Sequence, residues 1–293
     1  MKNIFLTLLV GTFLGLNAQV ETPAAPQTKS ILLMNGFAHL GNGKVIENSA
    51  IAFKDGKLTM VADARTIRID PSQYDTIIKI EGKHVYPGFI APNSTLGLVE
   101  IDAVRASNDK DEAGVFTPHV RSIIAYNTDS KITTTVRSNG VLMGQVTPRG
   151  NYISGTSSIV QFDAWNWEDA VYKQDDGVHL NWYAMFNRWN GKINKNYTEK
   201  TTQLKQFFTN AQAYVKVDDH AEKNLRFEAM RGIFSGEQTL FIHANFVKEI
   251  TEAIDFGKKF EIKKMVIVGG YDAWRVSDML KDNNVAVILR RVH

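Results

Sequence analysis

The sequence has 293 residues, 44% of them hydrophobic and 22% charged, which excludes a disordered chain and one built mainly of membrane spans. Lys plus Arg total 34 against 31 Asp plus Glu, and the formal net charge of +3 is too small to argue for nucleic acid or an anionic membrane as partner. Cysteine is absent, so disulfides, thiolate metal ligands and cysteine nucleophiles are excluded, and seven histidines remain as imidazole ligands.

Residues 1–18 begin with Lys2 and continue through an apolar run, Ile4 to Leu16, that is short for a bilayer span. They predict a secretory signal cut after Ala18, hence a periplasmic or secreted protein with no membrane association after cleavage. Residues 19–29 are rich in Pro and Ala and predict a flexible lead. Residues 30–83 read as β structure, with turn signals at Gly41-Asn42-Gly43 and Asp55-Gly56, and predict a small antiparallel module.

At His84 the pattern changes. VYPGFIA predicts a buried strand, and a polar stretch runs from Asn93 to Ser130. Strands are predicted at 141–148 and 158–162, then Trp165, Trp167, Trp182 and Trp189 follow closely. Apolar residues at helical spacing predict an amphipathic helix over 197–215. The final segment alternates strand and helix: TLFIHA (239–244), a helix capped by Asn245 and ending at Gly257, MVIVGG (265–270), the helical DAWRVSDMLKD, and VAVILR (285–290). Continuous apolar strands joined by helices predict buried parallel β structure. Spacing alone leaves a doubly wound sheet and a barrel open. The leading antiparallel module and the loop-heavy first half favour the barrel.

The segment HVYPGFIAPNSTLGLV (84–99) resembles the opening of an amidohydrolase-superfamily barrel. Asn35-Gly36, Gly41-Asn42-Gly43 and Asp55-Gly56-Lys57-Leu58 resemble the module that precedes such barrels. Segments 97–109, 136–170 and 241–257 are similar to the imidazolonepropionase-like branch. The resemblance implies an α/β fold, a TIM-like (β/α)8 barrel preceded by a small antiparallel β module. It also implies metal-assisted hydrolysis of non-peptide C–N bonds, of the cyclic amide or amidine type, with zinc or another divalent ion. The stretch 84–293 is shorter than the roughly 250 residues of a complete barrel. It therefore reads as an incomplete barrel, truncated near strand seven and before the family's strand-eight aspartate.

The resemblance places metal ligands on strands one, five and six, and most are replaced. Its aspartate falls at Ala91, its strand-one histidines at Asn93 and Thr95, and its strand-six histidine at Gly269. His243 is kept, while Asn245 stands where a second strand-five histidine is common. Amide and hydroxyl groups bind zinc far more weakly than imidazole, and Gly269 offers no side-chain atom. His243 reads either as a remnant ligand or as a satisfied polar residue at a strand end. Arg105, Asp109 and Glu112 fall on the loop after strand one, where the resemblance places the pocket. Trp165 and Trp167 read either as a stacking surface for a flat ligand or as loop packing. Asp163, Glu168 and Asp169 read as acid–base groups or as hydrogen-bonded supports.

Three functions follow: a hydrolase with an altered metal site; a non-catalytic barrel forming a homo- or hetero-oligomer with a related amidohydrolase; and a periplasmic protein that binds a small molecule. No nucleic-acid partner is expected, and no resident cofactor is expected from the residues themselves.

Overall fold

The computed structural model describes residues 23–187, 190–217 and 219–290. The predicted signal, its cut after Ala18, Trp189 and His293 lie outside them.

The first sheet comprises β1 (Ile31–His39), β2 (Val45–Lys54), β3 (Lys57–Asp63), β4 (Thr76–Lys79) and β5 (His84–Val85). Its order is β3-β2-β1-β4, with β5 also on β1. Asp55 (φ 51°) and Gly56 (φ 69°) form the two-residue hairpin between β2 and β3, the left-handed pair that an Asp-Gly turn supplies. The expectation of a purely antiparallel module is corrected. β4 and β5 run parallel to β1, because residues 64–75 carry the chain back along the sheet before β4 begins.

The second sheet has seven strands in sequence order, curled into a nearly closed barrel. They are β6 (Phe89–Ser94), β7 (Val141–Val146), β8 (Ile153–Gln161), β9 (Val171–Asn181), β10 (Thr239–Ala244), β11 (Met265–Gly269) and β12 (Ala286–Leu289). The helices are α1 (Lys131–Ser138), α2 (Trp167–Ala170), α3 (Tyr197–Val215), α4 (Leu225–Glu228), α5 (Arg231–Ser235), α6 (Val247–Lys259) and α7 (Ser277–Asp282). β9 to β12 are mutually parallel, as is the pair β6–β7.

β8 runs against both neighbours, a departure from an all-parallel barrel. Its connections explain this. Six residues join β7 to β8 and nine join β8 to β9. A parallel crossover needs a dozen or more.

The main core lies between β9–β11 and the helices. Phe208 of α3 and Ile250, Ile254 and Phe256 of α6 pack on Leu180, Ile242 and Ile267. α3 buries Tyr197, Thr201, Leu204, Phe208 and Ala211, the one-sided spacing expected of it. The expected boundaries of α6 are corrected. Phe246 is its N-cap, Glu249 accepts the N–H groups of Asn245 and Phe246, and the helix continues through Gly257. A β-carbon at Gly257 would lie 2.8 Å from Met265 Sδ, so glycine lets β11 approach the helix there.

The expectation that VYPGFIA is buried is also corrected. β6 is an outer strand paired only with β7, and Phe89 and Ile90 are 64% and 57% exposed. At the opposite edge, Leu289 of β12 is 69% exposed beside Tyr271 and Trp274, along an apolar groove of about 1340 Å³.

Candidate functional site

The carboxyl ends of β6, β7, β9, β10, β11 and β12 meet at one mouth of the barrel, the end at which this architecture builds its sites. Asn93, His243 and Gly269 all lie there.

Asn93 has φ 50°, a left-handed conformation that asparagine tolerates better than most residues. Its surroundings fix it from two sides. Arg149, three residues past β7, donates from Nη1 to Asn93 Oδ1 at 2.8 Å and from Nη2 to Asn93 O at 2.7 Å. The Asn93 N–H donates to Gln145 Oε1 at 2.9 Å. The side chain at the first strand-one position is therefore already engaged, by a cation.

From Gln145 a buried polar chain crosses the barrel. Gln145 Nε2 donates to Asp176 Oδ2 at 2.8 Å, and Ser157 Oγ lies 2.6 Å from Asp176 Oδ1. Ser157 Oγ is 2.9 Å from His179 Nε2, and His179 Nδ1 is 3.0 Å from His243 Nε2. Asp176 enters the chain because β9 carries extra residues against β8. The register passes from Ser157↔Gly177 to Ile159↔Lys173, and Asp175 has φ 49°. This bulge turns Asp176 onto the face that Ser157 shares.

The chain fixes its own protons. The Ser157 hydroxyl has acceptors in Asp176 Oδ1 and in Gly177 O at 3.2 Å, so it accepts from His179 Nε2. His179 is then the Nε2–H tautomer, its Nδ1 accepts, and His243 Nε2–H donates to it. Among the described residues His243 Nδ1 is left as an acceptor with no protein partner. This is the reverse of a Ser–His nucleophile pair, in which the imidazole accepts from serine. Ser157 and His179 are moreover fully buried.

Charge is distributed unevenly along the chain. Burial lifts the Asp176 carboxyl above its usual range, partly offset by hydrogen bonds from Ser157 and Gln145. Burial pushes His179 well below the ordinary imidazole value, with His243 and Arg149 adding to the effect. His243 is pushed down to about 3, first by burial and then by Arg149 and Arg290. Arg149 itself is lowered to about 10 by burial and by Arg290. Burial and nearby positive charge thus both favour neutral imidazoles along this chain. Among the described residues neither arginine has a carboxylate within ion-pair distance.

A divalent ion does not fit these residues. Asn93 is held by Arg149, and Thr95 opens the turn whose carbonyl accepts from Leu98 N. His243 spends Nε2 on His179. Gly269 has φ 107°, and a β-carbon there would lie 2.5 Å from Asn245 Oδ1, so a side chain at the strand-six position would be strained and would have to displace Asn245. The described residues contain no group of three His, Asp or Glu able to hold a metal.

The remaining expected residues lie elsewhere. Arg105 and Asp109 line one cavity of about 660 Å³, together with Glu112, His119 and Arg121. Trp165 is 59% exposed, and Trp167 packs beside Phe162 and Ala170. Neither tryptophan lines that cavity. Asp163 pairs with Arg137, and Asp169 Oδ2 accepts from Trp165 N, so both support the loop. His179, Arg149, Gln145 and Asp176 were not singled out from sequence. One signal was present: His179-Leu180-Asn181 repeats the spacing of His243-Ala244-Asn245 at the end of a neighbouring strand.

The fold matches that of an amidohydrolase from Thermotoga maritima MSB8, with a TM-score of 0.75 and 21% identity over 89% of this chain and 70% of that one. A molinate hydrolase superposes with a TM-score of 0.41 and 11% identity, over 90% of this chain and 64% of that one. No protein-family model matches the chain, and no curated protein matches it.

Proposed function

We propose that this chain is a member of the amidohydrolase superfamily whose barrel mouth binds a small molecule without hydrolysing it. The observation that carries this reading is the clamp of Arg149 on Asn93. A fixed cation engages the residue that stands where the resemblance puts a metal ligand, through both its side-chain and its backbone oxygen. The fold shared with an amidohydrolase supports the superfamily assignment, as do the P-G-F-I segment and the leading module.

The protein's own groups are poor substitutes for metal chemistry. A general base works best with a pKa near the operating pH, and His243 is held near 3. Ser157 is sealed in the interior and donates away from His179. Asp176 is buried behind both. None of them combines access to the mouth with the proton affinity that hydrolysis needs. The leading eighteen residues extend the reading to an exported protein acting in the periplasm or outside the cell.

The test is the metal content of the purified full-length chain, with turnover of cyclic amides and amidines measured in added zinc. The expected result is far less than one ion per chain and no turnover. Stoichiometric metal with zinc-dependent hydrolysis would overturn the reading.

A further inference from the structure

We infer that the cavity of about 660 Å³ between residues 105–113 and 119–125 takes a small zwitterion, a free aliphatic amino acid held by both its ammonium and its carboxylate. None of Asn93, His243 and Gly269 lines this cavity, so the inference goes beyond the proposed function of the barrel mouth and does not depend on it.

Two segments build the walls. A bridge between Asp111 and Arg149, with the Arg149 N–H bonded to Lys110 O, ties the first to the exit of β7. The second is fixed to β8. Arg121 bridges Thr156, whose N–H donates to Val120 O at 2.7 Å, and the Ser122 hydroxyl lies 2.7 Å from Val146 O. Pro148 and Ser154 complete the lining, so strand ends hold the cavity in shape.

The first observation is where the unpartnered polar atoms fall. Buried side-chain polar atoms are nearly always hydrogen-bonded. Among the described residues three have no partner: Asn108 Oδ1, His119 Nδ1 and Arg121 Nη2. His119 and Arg121 both line this cavity, and Asn108 precedes Asp109, which does. Arg121 Nε donates to Asp175 Oδ1 at 2.9 Å, and Nη2 is the end of the fork left for an acceptor. The side chain is 32% exposed, so a ligand in the cavity reaches the guanidinium. A planar carboxylate is the acceptor that matches its fork.

The second observation is the charge of the other wall. Asp109, Asp111 and Glu112 line it, and among the described residues none has a cation within ion-pair distance. The cations beside them are engaged. Lys110 pairs with Asp102 at 2.8 Å, and Arg105 donates to Asn108 O at 2.8 Å. Free carboxylates on one wall and a guanidinium on the other suit a molecule that carries both charges. Its ammonium answers the first and its carboxylate the second. Val120, Ile124 and Pro148 add apolar surface for an aliphatic side chain.

Calorimetric titration of the full-length chain with leucine, isocaproate and isoamylamine at low salt tests this. Isocaproate is leucine without its ammonium, and isoamylamine is leucine without its carboxylate. Leucine should bind at least about tenfold more tightly than either, the worth of one charge-assisted hydrogen bond. Asp109→Asn combined with Asp111→Asn alters two exposed side chains. It should weaken leucine by about tenfold without weakening isocaproate and without lowering the melting temperature. Arg121→Lys, which keeps a cation for Asp175, should weaken leucine and isocaproate alike. Leucine that binds no better than isocaproate or isoamylamine, or not at all, would overturn the inference. So would unchanged leucine binding in the double variant, or calcium taken up by the carboxylates in place of leucine. Zinc uptake by the wild-type chain with leucine binding intact would overturn the reading of the barrel mouth alone.

Discussion

Arg149 holds Asn93 by two hydrogen bonds, one to the side-chain oxygen and one to the backbone carbonyl of the same residue. A charge on one strand's exit loop thus locks the end of the neighbouring strand. The lock fixes a left-handed residue and places a cation at the mouth of the barrel.

Removing the partner separates the two roles of Asn93. Asn93→Ala should destabilise the chain by about 1–3 kcal/mol, since it strips an acceptor from a half-buried guanidinium. It also places an alanine at φ 50°, which adds about 1 kcal/mol. Asn93→Gly loses the acceptor without the strain. Urea denaturation should rank wild type above Asn93→Gly and Asn93→Ala last; equal stability of the two variants would remove the backbone part of the argument.

The polar chain makes a second prediction. Ser157→Ala leaves His179 Nε2–H and Asp176 Oδ1 without their shared partner in a fully buried setting. Each orphaned group costs about 1–3 kcal/mol, so the variant should lose several times more stability than an exposed Ser→Ala substitution such as Ser138→Ala. Thermal and urea unfolding of the two variants provide the comparison.

Acid should unfold the protein through its histidines. His179 and His243 are kept neutral when folded, with values below that of an unfolded imidazole. The unfolded chain therefore binds more protons below about pH 6.5, and stability present above that value is lost as pH falls toward the folded value, about 3 for His243. Each histidine contributes about 1.4 kcal/mol per pH unit in that window. Asp176 acts the other way, because its raised value favours the protonated folded form and its contribution is lost as pH rises above about 4. Two imidazoles outweigh one carboxylate, so net stability should fall between pH 6 and 4. Histidine NMR should show both rings neutral at pH 5; a ring of His243 titrating near 6.5 would contradict this.

Restoring the histidine that the resemblance expects at strand six should fail. Gly269→His forces a β-carbon within 2.5 Å of Asn245 Oδ1 at φ 107°. It should destabilise by about 2 kcal/mol or more and create no zinc site, even when combined with Asn93→His and Thr95→His. A melting temperature equal to wild type would show that the mouth can relax.

Much of the fold was legible because local rules decided it. The Asp55-Gly56 hairpin, the helix over Tyr197–Val215 and the strand Thr239–Ala244 all follow from turn chemistry or apolar periodicity. β9 was not legible. Its sequence VYKQDDGVHLN has the polar residues of a loop, because a bulge turns Asp176 inward to be satisfied by Ser157 and Gln145 from two other strands. The reversal of β8 depends on connection lengths, which are readable only once β9 is known. At the site, the replaced positions could be aligned to a motif, but the replacement could not. Arg149 lies 56 residues from Asn93, and nothing local announces that they touch.

Zinc titration of the purified, metal-stripped full-length chain, followed by calorimetry with the Arg149→Gln variant alongside, tests the central claim most directly. The Arg149 clamp predicts no zinc binding at micromolar concentrations in wild type. One zinc bound per wild-type chain at nanomolar affinity would contradict the assignment of the barrel mouth to a cation-bearing, non-hydrolytic site.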